Sequence, residues 1–375
     1  MRILFAAPVW WPSRAFGGPV VAARELVRRL VDRGHEVDVI TTTIVDLDHR
    51  PPPQSATAQV DGASVHYLAT PLRYRWMGIT PTLPLALERV PRPNVAHVFG
   101  FRDVVTTGMA AWCRVRRIPY VFEPLGMFEP RLRKVLLKRA LDASLYRGVA
   151  RAAAAVVVAS DRERDSVVAG GIDMDRVRVR GNGFPSAKLR GPLHRIRSEM
   201  GIPEGASIVL YVGRLAAGKG IDHLQEAARR IPDAHFVFVG PDDRHGMSLL
   251  RGANIHVLPP TDAPPFALYR QADVFVLPSA GESFGMVAAE AAAAGTAVIV
   301  SDQCGIATSF QEGEALVVPY DRDAIVAAVQ RVLADEELRV RLARGGIAAA
   351  KRTSWDRVTD LQEEIYREAA AITAL

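Results

Sequence analysis

Val274-Phe275-Val276-Leu277-Pro278-Ser279-Ala280-Gly281-Glu282-Ser283-Phe284-Gly285-Met286-Val287-Ala288-Ala289-Glu290-Ala291 reads as an apolar strand, a glycine-bearing turn and the opening of an alanine-rich helix in direct succession. The helix is predicted to begin near Ser283 and to run to Gly295. Glu282 then stands just outside its N-terminus, and Glu290 about two turns inside. With a rise of about 1.5 Å per residue, the two carboxylates lie roughly 12 Å apart along the axis. Between them the helix start offers unpaired N–H groups and the positive end of its dipole, which suit a diphosphate. Such a pair also suits a solvated surface helix. The strand and the glycine turn in front of it favour a site.

Outward from this segment the same strand–helix rhythm fills the chain. After Ser207 the candidate strands are Ile208–Val212, Phe236–Val239, Ile255–Leu258, Val274–Leu277, Ala297–Val300 and Ala315–Val318. The N-terminal half repeats the theme with Arg2–Ala7, Glu36–Thr42, Val65–Leu68, Val95–Phe99, Tyr120–Phe122 and Ala155–Ala159. Its first helix carries Val21, Leu26, Val27 and Leu30 at helical spacing, and Gly34 fits the stop. Repeated βαβ units predict parallel sheets covered by helices. Gly181–Pro203 is rich in Gly and Pro, has no period and reads as an interdomain linker. The predicted fold class is α/β, with two Rossmann-like, doubly wound domains facing an interdomain cleft. Their expected bounds are 1–185 and 186–354. Residues 355–375 form a closing segment, with Trp355–Ala371 as an amphipathic helix bearing Val358, Leu361 and Ile365. On such sheets ligands bind outside the carboxyl ends of the strands.

The chain has 375 residues, which fits two domains of ordinary size. Its 47 basic and 41 acidic side chains leave a formal charge of +6. That suits an anionic substrate or an acidic membrane surface and falls short of a nucleic-acid binder's dense basic stripe. Cys113 and Cys304 are the only cysteines. They make neither a disulfide framework nor a metal-ligand spacing, which points to a reducing compartment. The opening residues are too short for a signal-peptide core, and no apolar run reaches the roughly 18 residues of a membrane span. The cytoplasm is therefore the expected location.

Two further segments carry chemistry. In Tyr211-Val212-Gly213-Arg214-Leu215-Ala216-Ala217-Gly218-Lys219-Gly220 a strand enters a glycine-rich loop with two cations, as a diphosphate leaving group requires. Gly213 to Lys219 matches most of the P-loop pattern, but Gly220 stands where the magnesium-binding hydroxyl belongs. An exposed turn with ordinary surface cations is the competing reading. Phe16-Gly17-Gly18-Pro19 precedes the first long helix and allows close backbone approach to phosphate. It lacks the dinucleotide-site order of glycines.

Taken together, these residues resemble the GT-B glycosyltransferases, specifically the retaining group called family 4. The resemblance also rests on Asn182-Gly183, Val239-Gly240 and Ala272-Asp273, and covers nearly the whole chain. It implies that Arg214 and Lys219 grip the donor diphosphate and that Glu290 bonds the ribose hydroxyls. It puts Glu282, with the backbone of Ser283, Phe284 and Gly285 next to Met286, against the transferred sugar. Gly213 belongs to the same donor loop, Gly17 and Gly18 face the diphosphate from the other domain, and the base lies near Gly240, Pro241 and Leu258. It also implies that the last helix crosses back to the N-terminal domain. Many relatives carry a histidine in the loop that here reads Phe122-Glu123-Pro124-Leu125-Gly126-Met127; Leu125 takes its place. Glu123 is the nearest polar residue, either structural or acceptor-binding, and Gly126 completes the loop.

The implied reaction moves a sugar from a nucleoside-diphosphate sugar, UDP- or GDP-linked, to an acceptor hydroxyl with retention. It is drawn as front-face attack in which the departing diphosphate helps take the acceptor proton. No metal and no cofactor are expected; Asp46-Leu47-Asp48 and Asp173-Met174-Asp175 spell a metal motif of the other glycosyltransferase fold. The expected acceptor is a carbohydrate, a lipid-linked molecule or a small metabolite, in glycan, glycolipid or glycosylated-metabolite synthesis. A basic amphipathic stretch, Arg131–Arg151, either sits on the anionic inner membrane face or buries one face and solvates the other. The rival functions are a nucleotide-sugar 2-epimerase and a non-catalytic sugar-nucleotide-binding protein. Nucleic acid is not an expected partner.

Overall fold

The structure, a computed structural model, describes residues 1–13, 17–46, 49, 51–52, 54–74, 76–128, 146–185, 196–242, 246–260 and 266–372. The chain divides into two compact units. One comprises Met1–Arg180 and Trp355–Leu375, the other Gly181–Ser354. The passage from the first to the second falls at Arg180, ahead of the boundary expected after 185.

In the first unit the elements run β1 (Arg2–Ala6), α1 (Gly18–Asp32), β2 (Glu36–Thr42), β3 (Ala56–Val60), β4 (Ala63–Leu68), β5 (Leu72–Tyr74), β6 (Met77–Ile79), α2 (Leu83–Arg89), β7 (Val95–Phe99), α3 (Val104–Arg116), β8 (Tyr120–Glu123), α4 (Arg147–Ala152), β9 (Ala155–Val158), α5 (Asp161–Ala169) and β10 (Val177–Val179). The sheet order is β10-β9-β8-β7-β1-β2-β4-β3, and β5 and β6 form a separate ribbon. Every pair in the main sheet is parallel except β3 with β4. Strands β1, β7 and β9 are buried almost throughout and, apart from Arg2 and the buried His97, read as continuous apolar runs. β3 is nearly all exposed and has no apolar alternation, so no sequence pattern marks it.

Two expected core positions are corrected. On α1 the buried stripe is Val20, Ala22, Ala23, Leu26, Val27 and Leu30, while Val21 is exposed. The final helix runs Trp355–Ile372 and buries Trp355, Val358, Thr359, Gln362, Ile365, Tyr366 and Ala369. Leu361 lies on its solvent side. The stripe keeps helical spacing but includes polar members, because this face meets ionisable groups rather than a purely apolar core.

The second unit contains α6 (Ile196–Met200), β11 (Ser207–Val212), α7 (Ile221–Arg230), β12 (Ala234–Val239), β13 (Ile255–Leu258), α8 (Phe266–Gln271), β14 (Val274–Leu277), α9 (Met286–Ala294), β15 (Ala297–Ser301), β16 (Leu316–Val318), α10 (Arg322–Ala334) and α11 (Glu336–Arg352). Its sheet is wholly parallel, in the order β13-β12-β11-β14-β15-β16. The expected linker Gly181–Pro203 holds α6, and its residues 186–195 lie outside the described residues. Most of the basic stretch Arg131–Arg151 also lies outside them; Arg147 and Arg151 fall on α4. Among the described residues no helix is long and apolar enough to cross a membrane.

Candidate active site

In the second sheet β11 comes first in sequence and lies inside the order, with β12 and β13 on one side and β14 on the other. The winding reverses between β11 and β14. The crevice outside their carboxyl ends is the general ligand position of a doubly wound sheet. The loops that leave those ends are 213–220 and 278–285, the two segments with the strongest sequence signals.

Backbone contacts stitch these loops together. Ala280 N–H donates to the Gly218 carbonyl at 2.9 Å, and Ser279 Oγ–H to the same oxygen at 3.3 Å. Gly220 caps α7 with φ +72°, and a Cβ there would stand 1.8 Å from the Pro278 oxygen. Only glycine permits that approach. The loop after β12 joins from the other side: Gly213 N–H donates to Val239 O and Leu215 N–H to Pro241 O, both at 2.9 Å. Gly240 N–H donates to Leu258 O at 3.3 Å. Gly213, Gly240, Pro241 and Leu258 thus lie together at the carboxyl ends of β11, β12 and β13.

Lys219 and Glu282, assigned to different ends of a ligand by the sequence reading, are paired: Nζ lies 2.6 Å from Oε1, and each side chain is about a quarter exposed, at 27% and 24%. The Glu282 backbone is clamped by residues no motif marks. Its N–H donates to Gln303 O at 3.3 Å, its carbonyl accepts from Gly305 N–H at 3.1 Å, and Ile306 N–H donates to Phe284 O at 2.7 Å. Arg214 is exposed, and its carbonyl accepts a 2.9 Å bond from the buried Tyr211 hydroxyl. Ser283 is half-buried, whereas Phe284 and Met286 are buried.

The helix begins later than expected. α9 starts at Met286, capped by Gly285 at φ +115°, so Ser283 belongs to the turn. Glu290 is therefore little more than one turn inside it, and helical rise does not measure its separation from Glu282. Among the described residues no side chain caps α9 and no acid lies in its first turn. Its amides and dipole are left for an anion.

Glu290 is buried, and its Oε2 accepts from the Tyr269 hydroxyl at 2.9 Å. Tyr269 sits on the short α8, outside every motif, so sequence gave no warning of it. Burial raises the Glu290 carboxyl to about 7, with Tyr269 opposing the shift. A folded-state value above the ordinary carboxylate range means the folded chain holds this proton more tightly than the unfolded one. The contribution of Glu290 to stability is then greatest below about pH 4.3, falls as pH rises, and levels off above about 7. Glu290→Gln removes the titration. We expect the variant to gain stability relative to the parent between pH 5 and 8, by about 3 kcal/mol at most. All five tryptophans belong to the first unit, so calorimetry should follow the transition that tryptophan fluorescence misses. An equal stability gap at pH 5 and pH 8 would count against a charged, buried Glu290.

The remaining candidates lie in the first unit. Gly17 caps α1 with φ +67°, Gly18 opens the helix, and no acid occupies the first turn. Phe16 is outside the described residues. Glu123 ends β8 and is buried. Its Oε1 accepts from the Arg180 guanidinium at 2.9 Å, and its Oε2 lies 3.2 Å from His97 Nε2. His97 Nδ1 lies 2.6 Å from the Tyr366 hydroxyl, and Arg180 donates to Gln362 Oε1 at 2.7 Å. Burial pushes the Glu123 carboxyl up, but Arg180 and His97 outweigh it and hold it below the ordinary value. Glu123 thus lies buried inside this unit against structural partners, Arg180 above all. Leu125 and Gly126 both have positive φ, +57° and +72°. Their turn is held by Glu163, whose carboxylate accepts from Gly126 N–H and, at 2.8 Å, from Ala159 N–H. Asp173 accepts from Asp175 N–H at 3.1 Å and caps a single turn. Leu47 and Asp48 of the other D-x-D segment lie outside the described residues.

A family profile described as "Glycosyl transferases group 1" matches residues 194–348, and one described as "Glycosyl transferase 4-like domain" matches residues 17–183. The sequence is 30% identical to the D-inositol 3-phosphate glycosyltransferase of Thermomonospora curvata, over 93% of this chain and 90% of the relative. It is 27% identical to an uncharacterized glycosyltransferase of Methanocaldococcus jannaschii, over 96% of this chain and 97% of the relative. Among solved structures, sucrose-phosphate synthase from Thermosynechococcus elongatus is similar, with a TM-score of 0.77, 23% identity and 99% of each chain covered. Anabaena HepE in complex with UDP-glucose gives a TM-score of 0.75 and 18% identity over 100% of each chain. The two structural likenesses concern the fold.

Proposed function

Because the chain belongs to the group 1 glycosyl transferases and has their two-unit, Rossmann-like GT-B fold, we propose that it moves a sugar from a UDP- or GDP-sugar to an acceptor hydroxyl with retention of configuration. The observation that supports this most is the Lys219–Glu282 pair beside the start of α9, which no described side chain caps, at the switch point between β11 and β14. In the proposed reaction the anomeric C–O bond to the diphosphate breaks and a new one forms to the acceptor oxygen on the same face. The acceptor proton passes to the departing diphosphate. The protein's part is to stabilise charge on that leaving group through Arg214, Lys219 and the amides at the start of α9. Lys219 would exchange Glu282 for the diphosphate when donor binds. That exchange would leave the Glu282 carboxylate to accept hydroxyls of the transferred sugar. Glu290 would hold the ribose.

The relatives named D-inositol 3-phosphate glycosyltransferases and the +6 charge support an acceptor that is a small, anionic polyol. A thermal-shift panel of nucleotides and nucleotide sugars, followed by product analysis with and without acceptor, tests the reading. Donor epimerised at C2 in the absence of acceptor would favour a 2-epimerase. Binding without any turnover would favour a non-catalytic protein.

Fixed cations and helix amides take the role a metal has in other transferases, so we expect activity to persist in excess EDTA, assayed as nucleoside diphosphate release. Loss restored only by Mn²⁺ or Mg²⁺ would sink the metal-independent reading.

A further inference from the structure

Leu125 and Gly126 fill the central places of a turn in which Met127 N–H donates to the Pro124 carbonyl at 3.0 Å. Both have φ in the left-handed region, at +57° and +72°. Glycine takes that conformation freely, but in a leucine the Cβ crowds the following carbonyl oxygen. Turns of this hand usually close hairpins and carry Asn, Asp or Gly. This one leaves β8, whose neighbours are both parallel. Such strain persists only where the surroundings impose it, and it gathers at functional sites.

Two elements impose it here. From the loop after β7, Gly100 N–H donates to the Glu123 carbonyl at 2.9 Å, just ahead of the turn. Arg102 donates to the carbonyls of Met127 and Phe128, just behind it. Glu163 holds the middle: one carboxylate oxygen accepts from Gly126 N–H, the other from Ala159 N–H at 2.8 Å. Ser160 and Glu163 have the spacing of a capping box, whose glutamate returns to the amide of its own cap. Glu163 reaches further, into a different loop. It is buried, and burial raises its carboxyl to about 7 against the opposing effect of both amides.

The turn lies where a ligand is expected. In the first sheet the winding reverses between β1 and β7, and the crevice outside their carboxyl ends is the ligand position. Gly100 packs on the loop after β1: a Cβ on it would stand 3.1 Å from Pro8 Cδ. The loops after β1, β7 and β8 are therefore contiguous, and the half-buried Leu125 stands one strand from the crevice. We propose that Glu163 is a positioning residue for sugar transfer, fixing the Leu125–Gly126 turn as a wall of the acceptor's site. The inference rests on the proposed transfer reaction, in which the second unit holds most of the donor and the crevice of the first is left to the acceptor. A neutral amide offers one acceptor oxygen where the carboxylate offers two, so Glu163→Gln releases one of the two N–H groups.

The test is steady-state kinetics of Glu163→Gln with UDP-glucose or GDP-mannose as donor and an inositol monophosphate as acceptor, beside calorimetry with UDP and GDP. We expect kcat to fall about 10- to 100-fold, the scale of a slightly misplaced reactant. Nucleoside diphosphate affinity and the number of binding sites per chain should stay at the parent's values. A merely structural role would lower the number of competent sites and leave kcat per competent site unchanged. Glu163→Asp keeps both acceptor oxygens on a shorter arm and should recover part of the loss. If the glutamine variant fails to fold, the aspartate variant should itself show kcat lowered several-fold at unchanged diphosphate affinity. In an active parent, the inference is overturned by unchanged kcat in the variants, or by a loss that only tracks lost diphosphate sites. A parent that turns over neither donor would overturn the transfer reading, and this inference with it.

Discussion

Lys219→Ala is expected to lower turnover by a factor on the order of 10²–10³, the loss that follows removal of one preorganised charge-stabilising group. Arg214→Ala should fall in the same range. Lys219 already lies 2.6 Å from Glu282, so donor binding has to break an ion pair to recruit it. Glu282→Gln separates the two roles of that pair. Without the carboxylate, Lys219 is released to the diphosphate, and nucleoside diphosphate should bind a few-fold more tightly, the scale of a partly exposed ion pair. Turnover should still fall about 10²-fold, because Glu282 is proposed to hold the sugar. Calorimetry with the free diphosphate and steady-state kinetics on the same protein check both halves. Near-normal turnover in Lys219→Ala and Arg214→Ala would remove the diphosphate assignment. Weaker diphosphate binding in Glu282→Gln would show that the pair works as one unit rather than as competitors.

The sheets were legible because parallel strands buried on both faces are short apolar runs with little else to be. Val274–Leu277 and Ala297–Ser301 are examples, entirely buried in the structure. The site loops were legible for a different reason. Gly220 and Gly240 sit where another backbone comes within 2.0 Å of a would-be Cβ, so these positions reject every other residue and leave a mark. What escaped were groups whose role depends on three-dimensional neighbours. Tyr269 meets Glu290 from a short helix with no signature. Gln303 and Gly305 hold Glu282 with backbone atoms, which any side chain would allow. The start of α9 was placed too early because Ser283 and Phe284 suit a helical first turn. The backbone of Glu282 and Phe284 instead pairs with the loop after β15, and Gly285 delays the helix. The polar stripe of the final helix was missed because Leu361 looked like the better core residue than Gln362 or Tyr366. Only the Glu123–Arg180–His97 cluster explains the choice.

That cluster carries the second large effect. Arg180 is 1% exposed at its side chain, and its guanidinium serves Glu123 on β8 and Gln362 on the final helix. Arg180→Met keeps much of the volume but strands the Glu123 carboxylate without its cation. We expect the first unit to lose about 3–5 kcal/mol, the range for breaking a buried pair from one side. In the parent, Glu123 is held below the ordinary carboxylate value, so its stabilisation is present above about pH 4.3 and fades as pH falls through its folded value. In the variant burial acts on it almost alone and raises it. The sign then reverses, and the deficit should be largest at pH 8 and shrink toward pH 5. Removing both charges, in Arg180→Met/Glu123→Gln, should recover part of the loss, because a neutral amide strands less charge than a carboxylate. Denaturant unfolding followed by tryptophan fluorescence reads this unit alone, since every tryptophan lies in it. A loss under about 1 kcal/mol, or one that does not change between pH 5 and 8, would mean that water already reaches Glu123 and that the final helix is held by its apolar contacts instead.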